Sequence, residues 1–183
     1  LAFVTLYGEV RAWGGDPWPM HATNLALHAA SAAGVWWLVA RLASGPAVRV
    51  AASIAALQWA WFPRRVEAVA WLSCRPDLLA TGLGIWALSA WIWGERRGSW
   101  AARVLGVSMW AGALASKESV AVLPLALMAV GLRHRHALDV AQGSSVRRVP
   151  DFQEAWRRAL RLWPFAVGLV CFVVLRRLAL GAW

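Results

Sequence analysis

Apolar runs separated by short charged or Gly/Pro-rich breaks constrain this chain more than any other feature. The runs span roughly His21–Ala43, Ala47–Phe62, Asp77–Trp93, Ala101–Ser116, Ser119–Leu132 and Leu162–Leu180, and their few charges, Arg41, Arg49, Asp77, Arg103, Arg176 and Arg177, lie toward run ends. Of the 183 residues, 60% are hydrophobic and 15% charged, with a mean hydropathy of +0.52. That balance lies outside the range of ordinary soluble domains and selects a bundle of membrane helices. The expected fold is all-α and polytopic, with about six transmembrane helices. Several runs fall short of the ~20 residues that cross a hydrocarbon core comfortably, so flanking arginines must snorkel or the bilayer must thin.

The breaks carry ordinary turn signals, Ser44-Gly45-Pro46 after the first run and Gly94-Glu95-Arg96-Arg97-Gly98 after the third. They divide the chain into an extracytoplasmic juxtamembrane segment (1–20), a membrane bundle (21–132), a basic cytoplasmic loop (133–161) and a further membrane helix (162–183). Within the first segment, Leu1–Trp13 mixes apolar and polar residues and ends in Gly14-Gly15-Asp16-Pro17, as an interfacial helix would. The opening residues lack the basic stretch and cleavage site of a signal peptide. With no initiating Met and an apolar run at its end, the sequence reads as an internal segment of a longer membrane protein.

The net charge of +10 raises nucleic acid as a partner, but the arginines sit between apolar runs rather than on one soluble face. Membrane lipid is the expected partner and nucleic acid is not. Fifteen tryptophans, among them Trp36, Trp37, Trp59, Trp61, Trp91, Trp93 and Trp163 near run ends, suit the headgroup layer, with helix packing as the alternative for each. The breaks holding Arg41 and Arg49, Arg96 to Arg103, and Arg133 to Arg161 are richer in arginine than the others, which puts them in the cytoplasm. The opposite side collects Glu9, Asp16, Glu67, Asp77 and Glu118 together with Arg64, Arg65, Arg75 and Lys117. Charges near a bilayer are costly unless they reach water, a partner or a ligand, so this lip is the expected working surface. Cys74 and Cys171 lack metal-ligand spacing and are expected to stay unpaired. His134 and His136, in the basic loop, are expected to be solvated.

Three ordered motifs carry a resemblance. They are His21-Ala-Thr-Asn24-Leu-Ala-Leu-His28, Phe62-Pro-Arg-Arg-Val-Glu-Ala-Val-Ala-Trp-Leu-Ser-Cys-Arg-Pro-Asp-Leu-Leu79, and Ser116-Lys-Glu-Ser-Val-Ala-Val-Leu-Pro124. Together they resemble the membrane-embedded O-mannosyltransferases that carry tetratricopeptide repeats, and their bacterial relatives, in the GT-C class of glycosyltransferases. The likeness covers about Leu1 to Leu132. It implies sugar transfer, of mannose, from a polyprenyl-phosphate donor to a protein acceptor on the extracytoplasmic face of a bacterial inner membrane or endoplasmic reticulum. Two departures stand out. Phe62 and Arg65 replace the two histidines of the family's His-Pro-x-His motif, and the family's acidic pair would precede this segment. The segment alone is therefore expected to be inactive.

Glycosyl transfer from a lipid phosphate needs a carboxylate to deprotonate the acceptor hydroxyl and cations to hold the leaving phosphate. Glu67 is the candidate acid, with metal binding, acceptor orientation and a structural ion pair with a neighbouring arginine as its possible roles; the ion pair is favoured. Arg64, Arg65, Arg75 and Lys117 are the candidate phosphate contacts, a guanidinium being a planar fork for phosphate oxygens. Their plain alternatives are snorkelling for the arginines and a Lys117–Glu118 pair facing a cavity or interface for the lysine. His21, Asn24 and His28 share one helix face and are expected to make interhelical hydrogen bonds. Asp77 follows Pro76 at a helix start, where an acid meets the positive dipole end. A divalent metal is an open cofactor question. The rival reading is a non-catalytic membrane scaffold, or a degenerate relative, whose charged lip binds lipid headgroups.

Overall fold

The structure, a computed structural model, describes residues 1–43, 45–128, 156–157 and 160–180, with the side chains of Arg64 and Leu180 outside that set. The expected loop at 133–161, with His134 and His136, lies almost wholly outside the described residues. Those described are helical, and no strand occurs among them. The first of two compact units, Leu1–Val120, holds α1 (Ala2–Trp13), α2 (Pro17–Leu42), α3 (Val48–Trp61), α4 (Pro63–Ala70), α5 (Arg75–Arg97) and α6 (Trp100–Leu114). The second, Ala121–Trp183, contains α7 (Trp163–Leu180).

The helix ends follow local chemistry. Asp16 caps α2 by accepting the Trp18 amide at 3.0 Å, and Pro17 at the first helical position gives up only an amide that has no helical partner. α2 therefore begins at Pro17, ahead of the expected His21. α5 likewise starts at Arg75 rather than Asp77, with Pro76 in its opening turn, and runs on through Arg96 and Arg97, which suit its negative end. It stops at Gly98 in a left-handed conformation (φ 65°), and Ser99 then caps α6. The expected run from Ser119 opens as a 3-10 turn, Glu118–Val122, because Pro124 has no amide to offer the Val120 carbonyl. The buried Trp110 indole donates to that carbonyl instead, at 2.9 Å. Only the part of this run up to Met128 is described.

α2 and α5 run parallel. Arg75 meets Met20 and Asn24 near their starts, the Trp86 indole donates to Ala30 O at 3.1 Å midway, and Arg96 donates to Arg41 O at their ends. α3 returns beside α2, and α6 returns beside α5. The backbones approach closely where side chains are small. A Cβ on Gly106 of α6 would sit 3.0 Å from Ala87 O and Trp91 N of α5, and one on Gly82 would sit 2.8 Å from Ser31 Oγ of α2. Trp91 is buried at this crossing, so it is a packing residue and not a headgroup anchor.

Burial in the first unit favours small and polar groups. Asn24, His28, Ser31, Arg75 and Ser89 are buried, while Leu25, Val50, Ile54, Leu57, Val104 and Leu105 face outward. α2, at 26 residues, is the one described helix long and apolar enough to cross a membrane by length and composition. α3 and α6, expected as spans, are 14 and 15 residues long.

Candidate functional site

The residues of all three motifs meet at the end of the bundle where α2 and α5 begin. α2 arrives with its buried stripe of Met20, Asn24 and His28, spaced one turn apart. α4 crosses this end, and its last carbonyls, like those of α3, have no helical amide left to accept from. Asn24 Nδ2 donates to Val69 O at 3.2 Å and to Trp71 O at 3.5 Å. His28 Nε2 donates to Ala60 O at 3.1 Å, since a carbonyl only accepts. The expected interhelical role of Asn24 and His28 is thus their observed one. His21 is exposed and joins His28 along a cavity wall.

Arg75 is fully buried and spends its guanidinium on protein. Its Nε donates to Asn24 Oδ1 at 2.8 Å, one terminal nitrogen to Glu9 Oε2 at 2.5 Å, and the other to Met20 O at 2.7 Å. This corrects its assignment as a phosphate contact: the fork is filled by a carboxylate, an amide and a carbonyl, and solvent does not reach it. Glu9 was not singled out as a site residue. Its signal in the sequence is that it is the sole acid of Leu1–Trp13.

The other candidates lie nearer the surface. Lys117 is exposed and pairs with Asp77, not with Glu118, because the α5 start lies beside the α6 end. Both Lys117 and Glu118 are exposed, where a cavity or interface was expected. Asp77 does occupy the first turn of α5, as expected. Glu67 is exposed, and its favoured pairing with a neighbouring arginine is not found among the described side chains. Arg64 is on α4 with its side chain outside the described set. Arg65 lays its guanidinium over the Trp59 ring at 3.9 Å. Burial lowers its pKa from the ordinary arginine value, and the negative charge of Asp77 opposes that shift.

A cavity of about 500 Å³ lies between α2, the end of α3 and α4, lined by Trp18, His21, Ala22, Leu25, His28, Ala60, Arg65, Val66, Val69 and Ala70. α4 turns positions 65, 66, 69 and 70 toward it, and Glu67 falls off that face. Among the described residues no group of three or more His, Cys, Asp or Glu gathers to hold a metal ion, and both cysteines are unpaired. In comparisons with protein-family models, curated proteins and solved structures, none matches the chain.

Proposed function

We propose that the chain belongs to the membrane bundle of a GT-C-type glycosyltransferase that moves a sugar, mannose by resemblance, from a polyprenyl-phosphate carrier to a protein on the extracytoplasmic face. What supports this reading is the convergence of its motifs. Asn24 of the first is joined to Arg75 of the second, and Asp77 of the second to Lys117 of the third. Segments about this far apart in sequence need not share a surface unless they build one. The outward Leu, Ile and Val of α3 and α6, over a polar and small interior, suit several helices in lipid rather than one. On this reading the bundle is multi-pass, in a bacterial inner membrane or endoplasmic reticulum, and the short α3 and α6 sit in a locally thinned bilayer.

The scaffold reading draws on one observation of its own. No acid among the described residues lines the cavity, with Arg75 and Lys117 already paired with carboxylates. Glu67 tests the enzyme reading at a single residue. It is exposed and holds no described ion pair, so its loss should leave the fold alone. In the intact protein, Glu67→Gln should lower transfer of radiolabelled sugar from polyprenyl phosphate to acceptor by at least ~10-fold, about 1.4 kcal/mol in the barrier. An unchanged rate removes Glu67 from the chemistry, whereas an intact protein that transfers no sugar at all favours the scaffold.

A further inference from the structure

Among the described residues, the cavity beneath α4 has walls of one kind and a single fixed charge. Trp18, Leu25, Val66 and Val69 supply apolar surface, the polar groups are His21, His28 and Arg65, and no carboxylate among the described residues lines it. Its volume of about 500 Å³ falls within the ~300–1,000 Å³ of small-molecule sites. His28 already gives its Nε2 proton to Ala60 O. Arg65 is different. One face of its guanidinium rests on Trp59, and no carboxylate lies within ion-pair distance of it among the described residues. A stacked guanidinium keeps its edge N–H groups for two oxygens of a carboxylate or phosphate.

We propose that this cavity is a binding site for an anionic phospholipid of the bilayer, its phosphodiester on the Arg65 edge and an acyl segment along Leu25, Val66 and Val69. One cation matches the net charge of a lipid whose phosphodiester has no ammonium of its own to neutralise it, and the apolar walls match a chain. A lipid-linked sugar offers the same phosphodiester but fits less well. Its ring hydroxyls need several hydrogen-bond partners, and beyond Arg65 the described side chains of the cavity add only His21 and the Nδ1 of His28. The bound molecule is thus a resident lipid that braces α4, and it is not the sugar donor. The inference rests on the membrane placement proposed above and is independent of sugar transfer.

Native mass spectrometry of the delipidated full chain in neutral detergent tests it, with phosphatidylglycerol, phosphatidylcholine and a polyprenyl-phosphate sugar as probes. Phosphatidylglycerol should be retained about tenfold more tightly than phosphatidylcholine. Arg65→Gln should abolish that preference, and Val69→Trp, which fills the cavity, should remove the adduct. Arg11→Gln, a cation on α1 beside Tyr7, should change neither. Equal retention of the two phospholipids, or a phosphatidylglycerol adduct that survives both cavity variants, overturns the site. Arg65-dependent retention of the lipid-linked sugar alone overturns the resident-lipid assignment and gives the cavity to the donor.

Discussion

At the residue scale, Arg75 shows how a charge becomes architecture. A guanidinium taken out of water is costly unless its donors are filled, and here Glu9, Asn24 and Met20 O fill them. Removing one partner strands the other, which typically costs about 3–5 kcal/mol for a buried pair. Glu9 keeps 14% exposure, so Glu9→Ala should fall near the low end, roughly 3 kcal/mol, and Arg75→Met should cost at least as much. The double variant should lose clearly less than the sum, since neither charge is then left alone; denaturant unfolding in detergent reads all three. An additive double variant would mean that the pair contributes no coupling. The sequence made Arg75 visible as a charge in an apolar setting. It did not disclose its burial, because Glu9 lies 66 residues away and periodicity specifies a face but never the partner across it. The same limit explains Lys117, whose carboxylate came from Asp77, 40 residues off, and not from adjacent Glu118.

At the scale of elements, punctuation was the readable part. Pro17, Pro63 and Pro76 open helices, and Gly14 and Gly98 close them, each for a backbone reason visible in the residue type. Lengths were less readable. The charged ends of α5 belong to the helix, yet an apolar-run reading trims them off. Small residues set how near the helices come, and two glycines test this in opposite directions. Gly106 faces Ala87 O and Trp91 N at 3.0 Å, backbone atoms that cannot rotate aside. Gly106→Leu must part α5 from α6 and should destabilise by about 1–3 kcal/mol, the usual cost of overpacking. Gly8 in α1 has nothing within 4 Å of its would-be Cβ, so Gly8→Ala should stabilise by about 0.5–1 kcal/mol through helix propensity alone. Thermal unfolding of the two variants side by side gives the comparison, and a neutral Gly106→Leu would show that the helix contact is loose.

At the scale of the first unit, the charges sort by end. Arg41, Arg96, Arg97 and Arg103 gather where α2 and α5 finish, with Arg96 on Arg41 O and Arg103 near Glu95 at 3.4 Å. Glu9, Arg65, Arg75, Asp77 and Lys117 gather where those helices start. Arginine-rich breaks remain in the cytoplasm because translocating them is unfavourable, so the second end should face outward. The prediction is made on a background with Cys74→Ala and Cys171→Ala, so that an introduced thiol is the only reporter. Glu67→Cys, exposed on α4, should react in intact cells with a membrane-impermeant maleimide. Arg97→Cys, exposed near the opposite end, should react only after lysis. The two positions belong to one compact unit, so their labels must trade places together if the orientation is inverted. Labelling of both from outside would remove the bilayer between them, and with it the reason for large apolar side chains facing outward over an interior rich in small residues.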